Sequence, residues 1–252
     1  EMSASLVGSE MCIRDRLIIM LDVTFLAHSG FVVDDGKRCY VFDYYKDPNN
    51  IVWQLAKRGR ELWFFVSHTH GDHFNPSITE FDGPQTRYIC HQDVPLEGKV
   101  KKCITMRPGQ DATLDDVGIH MYGSTDEGGS FYVKTNTANI DSDSIFHAGD
   151  LNWWHWLGDT PENNADAKRM AWREFKELEG LSVDVAMFPV DNRLEDAMEW
   201  GSIEFLRHVD VKKAFIPMHL NGPLWTPSVY FEALFGDVPI WAPQKDGDEC
   251  TF

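Results

Sequence analysis

Residues 62–74 read Leu-Trp-Phe-Phe-Val-Ser-His-Thr-His-Gly-Asp-His-Phe. The uninterrupted apolar run 62–66 is what a strand buried on both faces looks like. Directly after it come His68, His70, Asp72 and His73. Residues two apart at a strand end point to the same side, so His68 and His70 pair naturally. Asp72 and His73 follow as the chain turns away. Imidazole and carboxylate together suit Zn²⁺, Mn²⁺ or iron, and a neutral imidazole costs little to metallate near pH 7. The chain has 10 histidines in 252 residues, and three of them fall here in the order H-x-H-x-D-H. A polar loop with histidines by chance is the weaker reading.

On both sides of this stretch, short strands alternate with amphipathic helices. Strand patterns occur at Asp22–Ala27, 31–33 and 38–44, with a turn at His28-Ser29-Gly30. A helix is expected over 50–58, and a short one is opened by Asn75-Pro76. Residues 87–150 are rich in β pattern, with strands at 88–90, 102–106, 118–122, Ser130–Lys134 and Ser144–His147. Helices follow at 163–178, 194–209 and 228–234, and buried strands at 183–188 and 214–218. One α+β domain over 20–252, with two sheets and outer helices, is the economical architecture. Residues 1–19 stand apart. Residues 1–16 show no clear period and resemble a translated sequencing-adapter read-through. They are expected to be a non-native or disordered leader, since the apolar run behind Arg14 and Arg16 is too short for a signal peptide.

Composition bounds the function. Lys and Arg number 23 against 40 Asp and Glu, a net charge of −17. Such a surface repels phosphate backbones and anionic headgroups, so neither nucleic acid nor a membrane is the expected partner. A small molecule is, and self-association is left open. No apolar run approaches the ~20 residues of a membrane span. Five cysteines, an odd number without a C-x-x-C pair, read as reduced, mostly buried thiols in a cytoplasmic protein.

From Met20 onward, motif order and spacing resemble the metallo-β-lactamase superfamily, whose signature is HxHxDH after a buried strand. Its later aspartate matches Asp150 in Phe146-His147-Ala148-Gly149-Asp150, and its last histidine matches His219 in Ile216-Pro217-Met218-His219. The resemblance implies a four-layer αββα sandwich with one or two divalent metal ions, Zn or Mn, at the sheet edge. His68 and His70 would hold the first ion. Asp72, His73 and His219 would hold the second, and Asp150 would bridge. The superfamily's third first-site histidine has no counterpart in the loop 123–128. Asp126 is the expected substitute, and an oxygen donor would favour a harder metal. His120 lies nearby but mid-strand and reads as a strand residue. The segments 25–31 and 146–150 further resemble the branch that includes ascorbate-6-phosphate lactonase. In that branch a histidine on the N-terminal loop lies near the metals, which makes His28 a candidate to orient the ligands or touch substrate.

The implied activity is hydrolysis of a small ester, lactone or phosphoester by metal-activated water, with Asp72, Asp150 and His219 at its centre. His147 is a candidate to orient the metal-binding histidines. Trp154, His155 and the neighbouring Trp153 and Trp156 suggest a wall over the metals, or else a cover for a large core, and Trp225 could join them. Arg193 could bind a substrate anion, or pair with Glu195 or Asp196 at the surface. A non-catalytic metal-binding or sensing module is the alternative. A nuclease of the same fold is opposed by the charge, and a diiron oxygen enzyme by a histidine rather than a carboxylate at position 70.

Overall fold

In the computed structural model, which describes residues 20–138 and 142–252, two mixed β-sheets face one another and carry helices on their outer sides. The expectation of a leader over 1–19 falls outside the described residues. The first sheet holds β1 (Asp22–Ala27), β2 (Gly30–Asp34), β3 (Arg38–Phe42), β4 (Glu61–Val66), β5 (Arg87–His91), β6 (Cys103–Met106) and β13 (Glu249–Thr251). Its order is β13-β1-β2-β3-β4-β5-β6, antiparallel up to β3 and parallel from β3 to β6. The second sheet holds β7 (Gln110–Leu114), β8 (Val117–Tyr122), β9 (Ser130–Lys134), β10 (Ser144–His147), β11 (Leu181–Pro189) and β12 (Val209–Met218). Here β10, β11 and β12 run parallel, and β7 to β10 form an antiparallel meander.

Side-chain alternation explains why the central strands are apolar throughout. On β3 and β4, Tyr40, Phe42, Trp63 and Phe65 enter the core between the sheets. Cys39, Val41, Leu62, Phe64 and Val66 point the other way, into a second core with Val52, Ile78 and Phe81. That outer core lies beneath α1 (Ile51–Lys57) and the 3₁₀ turn Pro76–Phe81. Phe65 stacks on Phe42 at 4.9 Å and meets Phe131 of the opposite sheet edge-on at 5.2 Å. Helices α2 (Pro161–Glu177) and α3 (Trp200–His208) pack together outside the second sheet, with α3 against β11 and β12. A last helix, α4 (Val229–Phe235), follows. These are the four αββα layers expected.

Some boundaries differ from those expected. The helix expected over 194–209 is interrupted: a 3₁₀ turn, Asn192–Ala197, precedes α3, and Glu195 within that turn has φ 52°. Val209 already belongs to β12, whose β-branched start ends the helix. Strands β7 and β13 were not anticipated. Both are largely exposed edge strands, so burial leaves no apolar alternation in them. Among the described residues Cys39 and Cys90 are buried and Cys103 and Cys250 half-buried, all four free. No helix of the described residues is long and apolar enough to cross a membrane.

Candidate metal centre

The functional side chains lie where parallel strands end. Chains leaving β3, β4, β10, β11 and β12 deliver Asp43, His68, Asp150, Asp191 and His219 to one edge of the sandwich, and the β1–β2 turn adds His28. Open parallel sheets present their ligand sites at such carboxyl ends. The backbone there is unusual: His28, Asp43, Gly149 and His219 have φ of 57°, 41°, 55° and 59°. The three that are not glycine, His28, Asp43 and His219, are of the kind that cluster where a ligand must be clamped.

Two groups of donor atoms result. His68, His70 and Asp150 form one, and His28, Asp72, His73 and His219 the other, with donor atoms in each group within 4.8 Å of one another. Asp150 stands between them. Its carboxylate is 3.4 Å from His68 Nε2, 3.0 Å from His73 Nε2 and 3.5 Å from His219 Nε2. Yet His28 Nε2, His68 Nε2, His73 Nε2 and Asp150 Oδ1 are buried without a hydrogen-bond partner. Buried polar atoms are almost always satisfied, so unpartnered nitrogens converging on a carboxylate fit a bound cation. Three-nitrogen and carboxylate donor sets suit Zn²⁺, Mn²⁺ or iron.

The outer ring nitrogens are held from behind. Asp43 Oδ2 lies 2.7 Å from His73 Nδ1 and 2.7 Å from Ser67 Oγ, and Asp43 Oδ1 accepts from Ser67 N. Ser67 Oγ lies 2.9 Å from His68 Nδ1. Asp191 Oδ2 lies 2.9 Å from His219 Nδ1 and accepts from Asn221. These contacts fix the rings and leave each Nε2 aimed at the donor cluster. Burial works to raise Asp150, but His68 and His73 outweigh it and hold the carboxyl well below its usual range. Burial would depress His73, whereas Asp150 and Asp43 raise it to about 10. Burial, then the charges of His219 and His73, push His28 down to about 4. Burial also opposes ionisation of Asp43 and Asp191. His147 and His73 for the first, His219 and Arg193 for the second, still keep both ionised.

A cavity of about 510 Å³ opens over this centre. Its wall includes His70, Asp72, Asp126, Asp150, Trp154, Trp156, Asp159, Asp166, Arg193 and His219. Trp154 and Trp156 are parallel, 6.1 Å apart, and the Arg193 guanidinium lies 5.5 Å from the Trp156 ring.

His68, His70, Asp72, His73, Asp150 and His219 are thus brought together as expected from the motif. Asp126 is not. It is exposed on the cavity wall, outside both donor groups, and the carboxylate beside His70 is that of Glu127, at 3.4 Å. His155 turns away from the centre and packs on Trp200 at 4.7 Å. Trp225 is buried in the core against Phe231, its indole N–H donating to Glu199. Arg193 pairs with Asp191 through two nitrogens rather than with Glu195 or Asp196. His147 bonds no imidazole directly, and its Nδ1 lies 3.9 Å from Asp43 Oδ2, the oxygen beside His73. Its Nε2 donates to Ser29 O and its Nδ1 accepts from Gly149 N, tying the β1–β2 turn to the Asp150 loop. His120 lies on β8 beside Asp111, outside the site. Of the four tryptophan and histidine positions 153–156, only Trp154 and Trp156 face the cavity, while Trp153 packs on Trp172 and Trp200.

Asp43, Asp191 and Glu127 were missed. The first two share a legible signal, a carboxylate just past a strand that ends in an apolar run, but nothing in the sequence tells which histidine each faces.

The fold has known counterparts. Igni18, a metallo hydrolase from Ignicoccus hospitalis, superposes with a TM-score of 0.64 at 17% identity, covering 92% of this chain and 98% of its own. YhfI of Bacillus subtilis, a metallo-β-lactamase fold protein, superposes with a TM-score of 0.55 at 13% identity over 92% and 99%. The chain has the metallo-β-lactamase fold. In sequence it is 23% identical, over 217 residues, to a UPF0173 metal-dependent hydrolase of Alkaliphilus metalliredigens, with 80% of this chain and 86% of the relative covered. No protein-family model matches the chain.

Proposed function

We propose that this metallo-β-lactamase-fold protein is a metal-dependent hydrolase that opens a small neutral or cationic ester or lactone. The observation that carries it is the set of buried, unpartnered atoms on His68, His73 and Asp150, of which Asp150 lines the cavity. The metal-dependent hydrolase relatives and the fold support the coarser part of the reading.

His68 and His70 would hold one ion, Asp72, His73 and His219 a second, with Asp150 shared. When bound, such ions supply a water deprotonated near neutral pH and stabilise the oxyanion formed on the attacked carbonyl. Asp43, Ser67 and Asp191 keep the imidazoles pointed inward. Asp72 lines the cavity with 46% of its side chain exposed, so it is the carboxylate placed to take the proton of the attacking water. Trp154 and Trp156 exclude solvent and offer a flat apolar face to the substrate.

The cavity's charges favour the carbonyl substrates over phosphorylated ones. Arg193 is the one Lys or Arg among its described lining residues, and its Nε and Nη2 are taken by Asp191. Asp126, Asp159 and Asp166 add negative charge on the outer wall. A phosphate dianion would meet repulsion there. The lactone arm follows the likeness to the ascorbate-6-phosphate lactonase branch, without its phosphate.

The test is a panel of neutral, cationic and anionic nitrophenyl esters, lactones and bis-nitrophenyl phosphate, run on metal-reconstituted protein. Turnover of esters or lactones above the phosphodiester, lost in Asp150→Ala, is the expected result. No turnover across the panel, or turnover of the phosphodiester alone, overturns the reading.

A further inference from the structure

His28 shares one feature with His68 and His73. Its Nε2 is buried and has no hydrogen-bond partner. It lies 3.4 Å from Asp72 Oδ2, and its ring centroid is 4.1 Å from that of His219 and 5.6 Å from that of His73. His28 is not among the residues lining the cavity. A histidine that contacts substrate or relays a proton to it would have to reach that space. This one faces the ligand cluster from behind.

The backbone is built to hold it there. His28 and His219 are both left-handed, and His219 N donates to His28 O at 3.2 Å. Ser29 O accepts from His147 Nε2, and a Cβ on Gly30 would come 3.1 Å from the carbonyl oxygens of Ala27 and Asp43. The turn therefore has no room to shift its histidine outward. Strained conformations persist only where the surroundings over-determine them.

We propose that His28 is itself a ligand of the second metal position, alongside Asp72, His73 and His219. This rests on the metal-dependent reading of the site. It goes beyond the residues expected from the motif, and its consequence is asymmetry. The second position gains three imidazoles and a carboxylate of its own, whereas the first has two imidazoles, His68 and His70, and both share Asp150. The first position lacks the third histidine, and the spare imidazole lies on the other side of Asp150. Ions therefore load in order, the second position tightly and the first weakly.

The experiment is titration of the metal-free full-length chain with Zn²⁺ and Co²⁺ by calorimetry, followed by zinc X-ray absorption at one equivalent. Wild type is expected to take up one ion tightly and another more weakly, with three imidazoles around the first. His28→Asn, which tolerates a left-handed backbone, should weaken the tight step by more than the ~10–100-fold typical of residues that merely orient a ligand. It should also intensify the visible Co²⁺ bands as coordination number falls. An unchanged tight step in the variant, or two imidazoles around the first zinc of wild type, overturns the proposal. The imidazole count needs no variant, so misfolding of His28→Asn leaves the question answerable. A wild-type chain that binds no metal instead overturns the metal-dependent reading beneath it. Metal binding as described with no hydrolysis leaves His28 a ligand and removes only the hydrolase.

Discussion

Asp43 Oδ2 lies 2.7 Å from His73 Nδ1, and neither side chain reaches solvent. The pair couples the end of one parallel strand to the loop after the next. The carboxylate decides which ring nitrogen carries the proton, and so leaves Nε2 free to bind a cation. Asp43→Asn keeps the size and removes the charge. Its expected outcome is a metal affinity lower by about 10–100-fold, measured by competition with a chelating dye. Unchanged affinity would mean that packing alone orients His73.

Asp126 tests the difference between loop proximity and ligation. It is exposed and outside both donor groups. Asp126→Ala should therefore bind as many ions per chain as wild type, by elemental analysis after dialysis, whereas Asp150→Ala should bind fewer. A loss of one ion in Asp126→Ala would make it a ligand after all.

Gly128 tests how the loop after β8 closes on the signature. Its φ is 72°, and a Cβ there would lie 2.0 Å from Ser67 O and 2.6 Å from His68 Cβ. Neither atom belongs to the end of a flexible chain. Gly128→Ala should lower stability by about 1–3 kcal/mol in chemical denaturation and weaken metal binding at the His68 position. Gly59→Ala, with a similar left-handed φ but open space around it, is the control for backbone strain alone.

Trp156 tests the wall. Trp156→Ala removes the face on which Arg193 rests but no donor atom. The expected result is a higher KM for aromatic esters with metal content unchanged. An effect confined to kcat would place the indole nearer the chemistry than the cavity wall.

The Asp116 carboxylate sets a pH dependence remote from the metals. It contacts the buried Arg38, which also meets Glu61 and lies over Trp63. Burial works to raise Asp116, but Arg38 and Lys37 prevail and lower it from 3.8. A carboxyl depressed in the folded state stabilises it above its unfolded value and loses that effect as pH falls through the folded value. Asp116→Asn should thus cost about 1–3 kcal/mol near pH 7, with the difference from wild type shrinking below the 3.8 of the free carboxyl. A difference independent of pH would assign the effect to shape rather than charge.

Much of this was legible in the chain. Strand β4 reads as a doubly buried strand because its neighbours on both sides and cores on both faces leave no solvated face. The group His68, His70, Asp72 and His73 is legible because it falls within six residues, and local spacing survives folding. Asp150 and His219 are distant in sequence and were found through motif order. The break in the helix expected over 194–209 was not legible, because Leu194, Met198 and Phe205 keep helical spacing across it. Asp191 and the left-handed Glu195, which set that break, satisfy tertiary demands.

The sequence by itself determined that buried strands end in clustered histidines and aspartates, and its acidity makes a small molecule rather than nucleic acid the expected partner. Those properties are carried by residues near each other along the chain, or by composition. Only the tertiary structure decided that Asp43 faces His73, that Asp191 holds both His219 and Arg193, that Trp225 is core and Trp156 wall, and that His28 faces the second donor group rather than the cavity. Each of these depends on which strand ends meet at one sheet edge. Chain separation erases that relation from the sequence, and two sheets packed face to face restore it.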